Sequence, residues 1–177
     1  MLQGDWSSDV CSSDLFNHSD RDLTDYLERL KKAIDKEGVK VVQCKAVEEL
    51  VRNSDIICTT TPSTTPVLPD DKELLRGKCI IAIGSYMPEM REIPDAVLDL
   101  VDNVYIELPY ACEESGDLSQ PLASGKLTKD RVKLMHEYLV SGEKEIKEGQ
   151  TTYFKSVGMG LFDVCIAQKL YEVAKEK

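Results

Sequence analysis

Ser156, Gly158 and Gly160 lie inside the run Thr151-Thr-Tyr-Phe-Lys-Ser-Val-Gly-Met-Gly160 and make a glycine-spaced turn before the last amphipathic stretch. Residues this small let a backbone approach a ligand closely. The free N–H groups of a first helical turn, with the helix dipole, then favour a polar or anionic group. The same residues also read as a plain helix start. A second set, Thr59-Thr-Thr-Pro-Ser-Thr-Thr-Pro66, puts hydroxyls on a proline-stiffened backbone, which suits either a polar ligand or an ordinary loop. Tyr86, in Ile83-Gly-Ser-Tyr86, offers a phenol that donates a proton or hydrogen bond, or simply walls a pocket. Glu114, in Glu-Ser-Gly-Asp, is an acid in a polar loop, solvated by default. Lys155 is expected to reach water, as long charged side chains usually do.

These residues need a scaffold, and the pattern around them supplies one. Val39–Cys44, Asp55–Thr59, Lys78–Ile83 and Asn103–Glu107 are short apolar runs rich in β-branched residues and read as strands. Residues 21–37, 46–53, 94–101, 129–146 and 160–175 read as helices, and Asp70-Asp71 as an N-cap. Alternation of this kind predicts parallel βαβ units and an open, doubly wound α/β sheet with a long C-terminal helix. Residues 1–15 fit no such period and are expected to lie outside the domain.

Composition narrows the classes. The chain has 177 residues, 42% hydrophobic and 31% charged, enough for one substantial core. Its net charge of −10 argues against nucleic acid or an anionic membrane as partner. No apolar run approaches the roughly 20 residues of a membrane span, so a cytoplasmic protein is expected. Six scattered cysteines and two histidines do not form metal-ligand spacings. Cys44, Cys58, Cys79 and Cys165 sit in apolar runs and are expected to be reduced core thiols; His136 is expected at the surface.

Phe154-Lys-Ser-Val-Gly-Met-Gly160, preceded by Thr-Thr, resembles the C-terminal signature of the ornithine cyclodeaminase/mu-crystallin family. Ser54–Thr61, Ile83-Gly-Ser-Tyr-Met-Pro-Glu-Met-Arg-Glu-Ile93 and Glu114-Ser-Gly-Asp-Leu118 follow that family's order. The resemblance implies a Rossmann-type domain over residues 16–177 that lacks its first strand and Gly-x-Gly-x-x-Gly turn, and an upstream domain for substrate and dimerisation. Residues 4–15 resemble translated sequencing-adapter sequence and are expected to be a non-native tail. The cofactor implied is NAD or NADP. Asn17, His18 and Ser19 would meet its ribose and, being without an acid, lean to NADP. Thr61, Ile83, Gly84, Ser85, Ser156 and Val157 match cofactor contacts, Glu114 and Gly158 substrate contacts, and Tyr86 the catalytic position. Cyclodeaminases carry aspartate where Tyr86 stands, and a phenol cannot replace a carboxylate acting as base. The reading is therefore an NAD(P)-dependent oxidoreductase acting on an amino acid or cyclic imine. An ornithine cyclodeaminase and a non-catalytic NADPH- or small-ligand-binding protein are the alternatives. The isolated chain is expected to be inactive and its parent a homodimer.

Overall fold

The computed structural model describes residues 12–17, 22–34, 40–142 and 146–175, which fall into two units divided after Ser54. In the first, β1 (Ser12–Leu15) pairs in parallel with β2 (Lys40–Gln43), with Ser12 opposite Lys40 and Leu15 opposite Gln43. Between them runs α1 (Thr24–Ile34), and α2 (Val47–Asn53) follows. Asp22 opens α1 by accepting from the backbone N–H and the hydroxyl of Thr24. β1 thus takes in Ser12 to Leu15, the last residues of the stretch expected to lie outside the domain. Parallel pairing uses backbone groups, so a polar sequence can join it without an apolar period.

The second unit is built on a five-stranded sheet of β3 (Ile56–Thr59), β4 (Cys79–Ala82), β5 (Val104–Ile106), β6 (Val132–Leu134) and β7 (Thr152–Lys155). Its order is β3-β4-β7-β5-β6 and every pairing is parallel. The expected α/β architecture is therefore present. Intervening helices are α3 (Lys72–Leu75), α4 (Asp95–Leu100), α5 (Ala111–Glu114), α6 (Gly116–Ser124), α7 (Met135–Ser141) and α8 (Gly160–Lys175). Ile57, Ile80, Val104, Ile106 and Tyr153 from the strands meet Leu75, Val97, Leu98 and Leu118 from the helices in the buried core. Full burial of each such aliphatic side chain contributes roughly 1.5–3 kcal/mol.

Two elements differ from the expectation. The stretch 129–146 is not one helix: a 3-10 turn at Lys129–Arg131 leads into β6 and then α7. Arg131 fixes this break by donating to the carbonyls of Leu98, Val101 and Asp102. Residues 152–155, expected as the polar approach to a turn, are the central strand of the sheet. Tyr153 and Lys155 share one fully buried face, as the two-residue period of a strand requires. A lysine at the end of that short run hid the pattern. Asp71 caps α3 as expected, accepting from Glu73 N and Leu74 N, while Asp70 accepts from Ala96 N at the start of α4.

Candidate functional site

Because all five strands are parallel, their carboxyl ends lie along one edge, the usual place for ligands in open α/β sheets. The turns after β3, β4 and β7 begin there with Thr60, Ile83 and Ser156. Ladder bonds run past the strands into them: Ile83 N donates to Thr59 O at 2.9 Å, and Ser156 N to Ala82 O at 3.0 Å. The turns are thus held in register with the sheet.

Glu92 joins two of these turns. It has no exposed surface, yet its carboxylate accepts four hydrogen bonds. Oε1 takes the backbone N–H and the hydroxyl of Thr61, and Oε2 takes the Thr59 hydroxyl and the Gly84 N–H, each at 2.8 Å. An ionised carboxylate has the capacity for this set. Gly84 is required by the same packing. A Cβ there would lie 2.2 Å from Thr61 O and 2.3 Å from Thr61 N.

Glu92 is held from behind by Asp117, whose Oδ1 accepts from Glu92 N at 2.7 Å and Ile93 N at 3.0 Å. Its other oxygen, Oδ2, lies 3.6 Å from Lys155 Nζ, and neither side chain is exposed. Lys155 also donates to Ala82 O at 3.3 Å. The expectation that Lys155 reaches water is therefore wrong: a central-strand position facing the core leaves it no route out. Burial pushes the Asp117 carboxyl up against the pull of two backbone N–H groups and of Lys155, and burial pushes the Lys155 ammonium down. Burial, with the charges of Asp117 and Glu92, raises the Tyr153 phenol well above its ordinary range.

The glycine-spaced turn holds an anion, and that anion belongs to the protein. Glu107, at the end of β5 and 7% exposed, accepts on Oε1 from the Ser156 hydroxyl at 2.8 Å, Val157 N at 2.6 Å and Gly158 N at 2.9 Å. Its Oε2 is buried and has no hydrogen-bond partner among the described residues. Gly158 has φ +87°, the left-handed conformation that suits glycine, and a side chain there would meet open space.

The remaining expected residues fall at different depths. Tyr86 is 47% exposed and Ile83 44% exposed, both on the turn after β4. Thr61, Ser156 and Val157 are half-buried. Ser85 has no exposed surface, and its hydroxyl is engaged with Met90 O and the Ser115 hydroxyl, so it shapes the turn from beneath. Glu114 ends α5, half-buried. In the first unit Asn17 follows the carboxyl end of β1, half-buried, whereas His18 and Ser19 lie outside the described residues. Glu92, Asp117, Glu107 and Ser115 were not singled out in the sequence. The available signal was an acid set against apolar neighbours, as in Glu92-Ile-Pro and Asp117-Leu.

His136 is exposed, as expected. Cys44 is buried, but Cys58 and Cys165 are exposed, which corrects their reading as core thiols. Cys58 points away from the packed face of β3, and α8 buries none of its residues. Among the described residues no cluster of histidine, cysteine and acid could hold a metal, and no helix is long and apolar enough to cross a membrane.

The sequence is 37% identical over 136 residues to Delta(1)-pyrroline-2-carboxylate reductase of Bacillus cereus, a match covering 75% of this chain and 41% of that protein. It is 33% identical over 129 residues to ketimine reductase mu-crystallin of Rattus norvegicus, covering 73% and 39%. The chain thus matches well under half the length of these curated relatives. Among solved structures, the fold is similar to Thermococcus litoralis Delta(1)-pyrroline-2-carboxylate reductase in complex with NADH and L-proline, with a TM-score of 0.79 at 22% identity over 94% of this chain and 51% of that one. A probable ornithine cyclodeaminase from Bordetella pertussis gives 0.75 at 28% identity over 93% and 52%. With the ornithine cyclodeaminase/mu-crystallin family model matching residues 15–177, the chain belongs to that family.

Proposed function

We propose that the whole protein carrying this chain is an NAD(P)-dependent oxidoreductase that reduces a cyclic imine bearing a carboxylate. The observation that carries the proposal is the exposed phenol of Tyr86 on the turn after β4, with no carboxylate at that position to deaminate an amino acid. The residues at this edge fit a nicotinamide. Ile83 and Val157 offer apolar surface to a flat ring, the open backbone at Gly158 lets a carboxamide come close, and Gly84, packed on Thr61, shapes the turn beneath them. Such a cofactor, when bound, supplies the hydride. The chain's own part is to place the imine and manage its proton. The Tyr86 hydroxyl donates to the imine nitrogen, and Glu114 and Gly158 contact the substrate. Thr61, Ser156 and Val157 hold the cofactor from the edge, and Ser85 supports the turn.

The test is oxidation of NADH and of NADPH by the full-length protein with Delta(1)-pyrroline-2-carboxylate, followed by absorbance. Turnover with both, faster with NADPH, is expected, and Tyr86→Phe should slow it by about ten-fold or more. Ammonia released from ornithine without net cofactor oxidation would instead establish a cyclodeaminase. Tight cofactor binding without turnover on any cyclic imine would establish a binding protein.

A further inference from the structure

We propose that Glu92 is the positioning residue of this site, setting the separation of the turns after β3 and β4 that carry the residues proposed to meet the cofactor's reactive end; this rests on the reading of the edge given above. The argument starts from how the donors divide. One backbone N–H, of Thr61, points at Oε1, and a second, of Gly84, points at Oε2. The two oxygens of a carboxylate are a fixed distance apart, and a backbone N–H cannot rotate away as a hydroxyl can. A carboxylate here is therefore a rigid spacer, gripping one turn with each oxygen.

No ordinary replacement does this. Glutamine keeps the length but presents an NH2 group to one of the two backbone N–H donors in either flip state, so one turn must move away. Aspartate keeps both acceptors but is one methylene short. Gly84 reports the same constraint independently, since its missing Cβ is what allows Thr61 to sit against it. The spacer is itself anchored, because Asp117 holds the backbone N–H of Glu92 and of Ile93. Each turn carries proposed site residues: Thr61 on one, Ile83 and Tyr86 on the other. Glu92 touches no ligand; it acts through them.

The experiment compares wild type, Glu92→Gln, Thr59→Val and Leu75→Ala in the full-length protein, reading melting temperature and the dissociation constants of NADH and NADPH by quenching of tryptophan and tyrosine fluorescence. Leu75 is fully buried in α3, and its truncation is the control for lost stability alone. Thr59→Val removes one hydroxyl donor to Oε2 and leaves both backbone donors, so it retains the fold if Glu92→Gln does not. Glu92→Gln should weaken the cofactor by about ten-fold or more and Thr59→Val by about three-fold, whereas Leu75→Ala lowers the melting temperature and leaves affinity within about two-fold. Affinity unchanged in Glu92→Gln and Thr59→Val, while wild type binds, would overturn the role of Glu92 and leave the functional reading standing. Wild type that binds neither cofactor would overturn the functional reading, and this inference with it.

Discussion

Lys155→Met should be among the most damaging single changes in this chain, and Asp117→Asn should repair much of it. Lys155 Nζ and Asp117 Oδ2 are 3.6 Å apart with no exposed surface on either side chain. That distance is too long for a good charge-assisted hydrogen bond, and Oδ2 has no other donor. Methionine fills the space of the lysine stem but leaves Asp117 as an uncompensated buried charge, at a cost of about 3–5 kcal/mol. In Asp117→Asn/Lys155→Met the amide oxygen can stand at Oδ1 and keep the two backbone donors at 2.7 and 3.0 Å, with its NH2 group facing the thioether. Replacing a whole buried pair by neutral groups is often neutral or stabilising, so the double variant should lie within about 2 kcal/mol of wild type. Urea unfolding of the four proteins gives the coupling directly. Loss of the same stability in Lys155→Met and the double variant, within about 1 kcal/mol, would refute the electrostatic account and leave only packing. The pH dependence carries its own sign. Asp117 has a raised folded pKa, so its contribution is fully present below the unfolded value and is lost as pH rises through the folded one. Lys155 has a lowered folded pKa, so its contribution is present above the unfolded value and is lost as pH falls through the folded one. Between those two folded values wild type bears the cost of both charges. Removing the cation raises Asp117 further, so the deficit of Lys155→Met should be small in acid and grow toward neutral pH.

Gly84→Ala forces a Cβ to within 2.3 Å of two Thr61 backbone atoms, and neither can yield without breaking the bonds to Glu92. A loss of about 3 kcal/mol or more is expected by urea unfolding, as for overpacking against backbone; a loss below about 1 kcal/mol would mean the two turns are loosely held. Glu107 contrasts with Glu92 because its three donors fall on one oxygen and the other has none. Glu107→Gln should therefore cost less than about 1 kcal/mol, with the amide oxygen in the nest, while Glu107→Ala strands buried N–H groups and costs about 2–4 kcal/mol. Amide hydrogen exchange at Val157 and Gly158 should accelerate only in the alanine variant.

The scaffold was legible where period and length agreed. β2, β3, β4 and β5 were visible as short runs rich in β-branched residues, which suit a pleated surface whether at the sheet's edge or inside it. β7 was not, since its inward residues are Tyr153 and Lys155, and a lysine is read as solvated unless its partner is known. That partner, Asp117, is 38 positions away in a polar motif, and no local rule links the two. β6 was absorbed into a helix because three residues cannot show a period. The turns that follow β3, β4 and β7 were legible as turns, since Gly84, Gly158 and the threonine run are local signals. What each turn binds was not legible. The first N–H groups of the last helix were expected to favour a polar or anionic group, and just before that helix Glu107 reaches the Ser156 hydroxyl, Val157 N and Gly158 N from the neighbouring strand.

That substitution of an internal carboxylate for an external one follows from the architecture. Turns leaving the carboxyl edge of a parallel sheet begin with backbone N–H groups that neither strand nor helix satisfies, and burying them unpaired costs more than a hydrogen bond is worth. Acids arriving from adjacent segments meet this need: Glu92 for the turns after β3 and β4, Asp117 for the segment that carries Glu92, and Glu107 for the turn after β7. Each is a long-range contact, spanning 8 to 51 positions in the chain. Three buried carboxyl groups without donors would be an unstable arrangement. Each is instead distributed over two to four donors, and so the edge stays rigid without drawing on a bound anion. In the reading proposed above, the edge is thereby left free to take a cofactor by shape and apolar contact, with the exposed Tyr86 phenol on the turn after β4 as a proton donor.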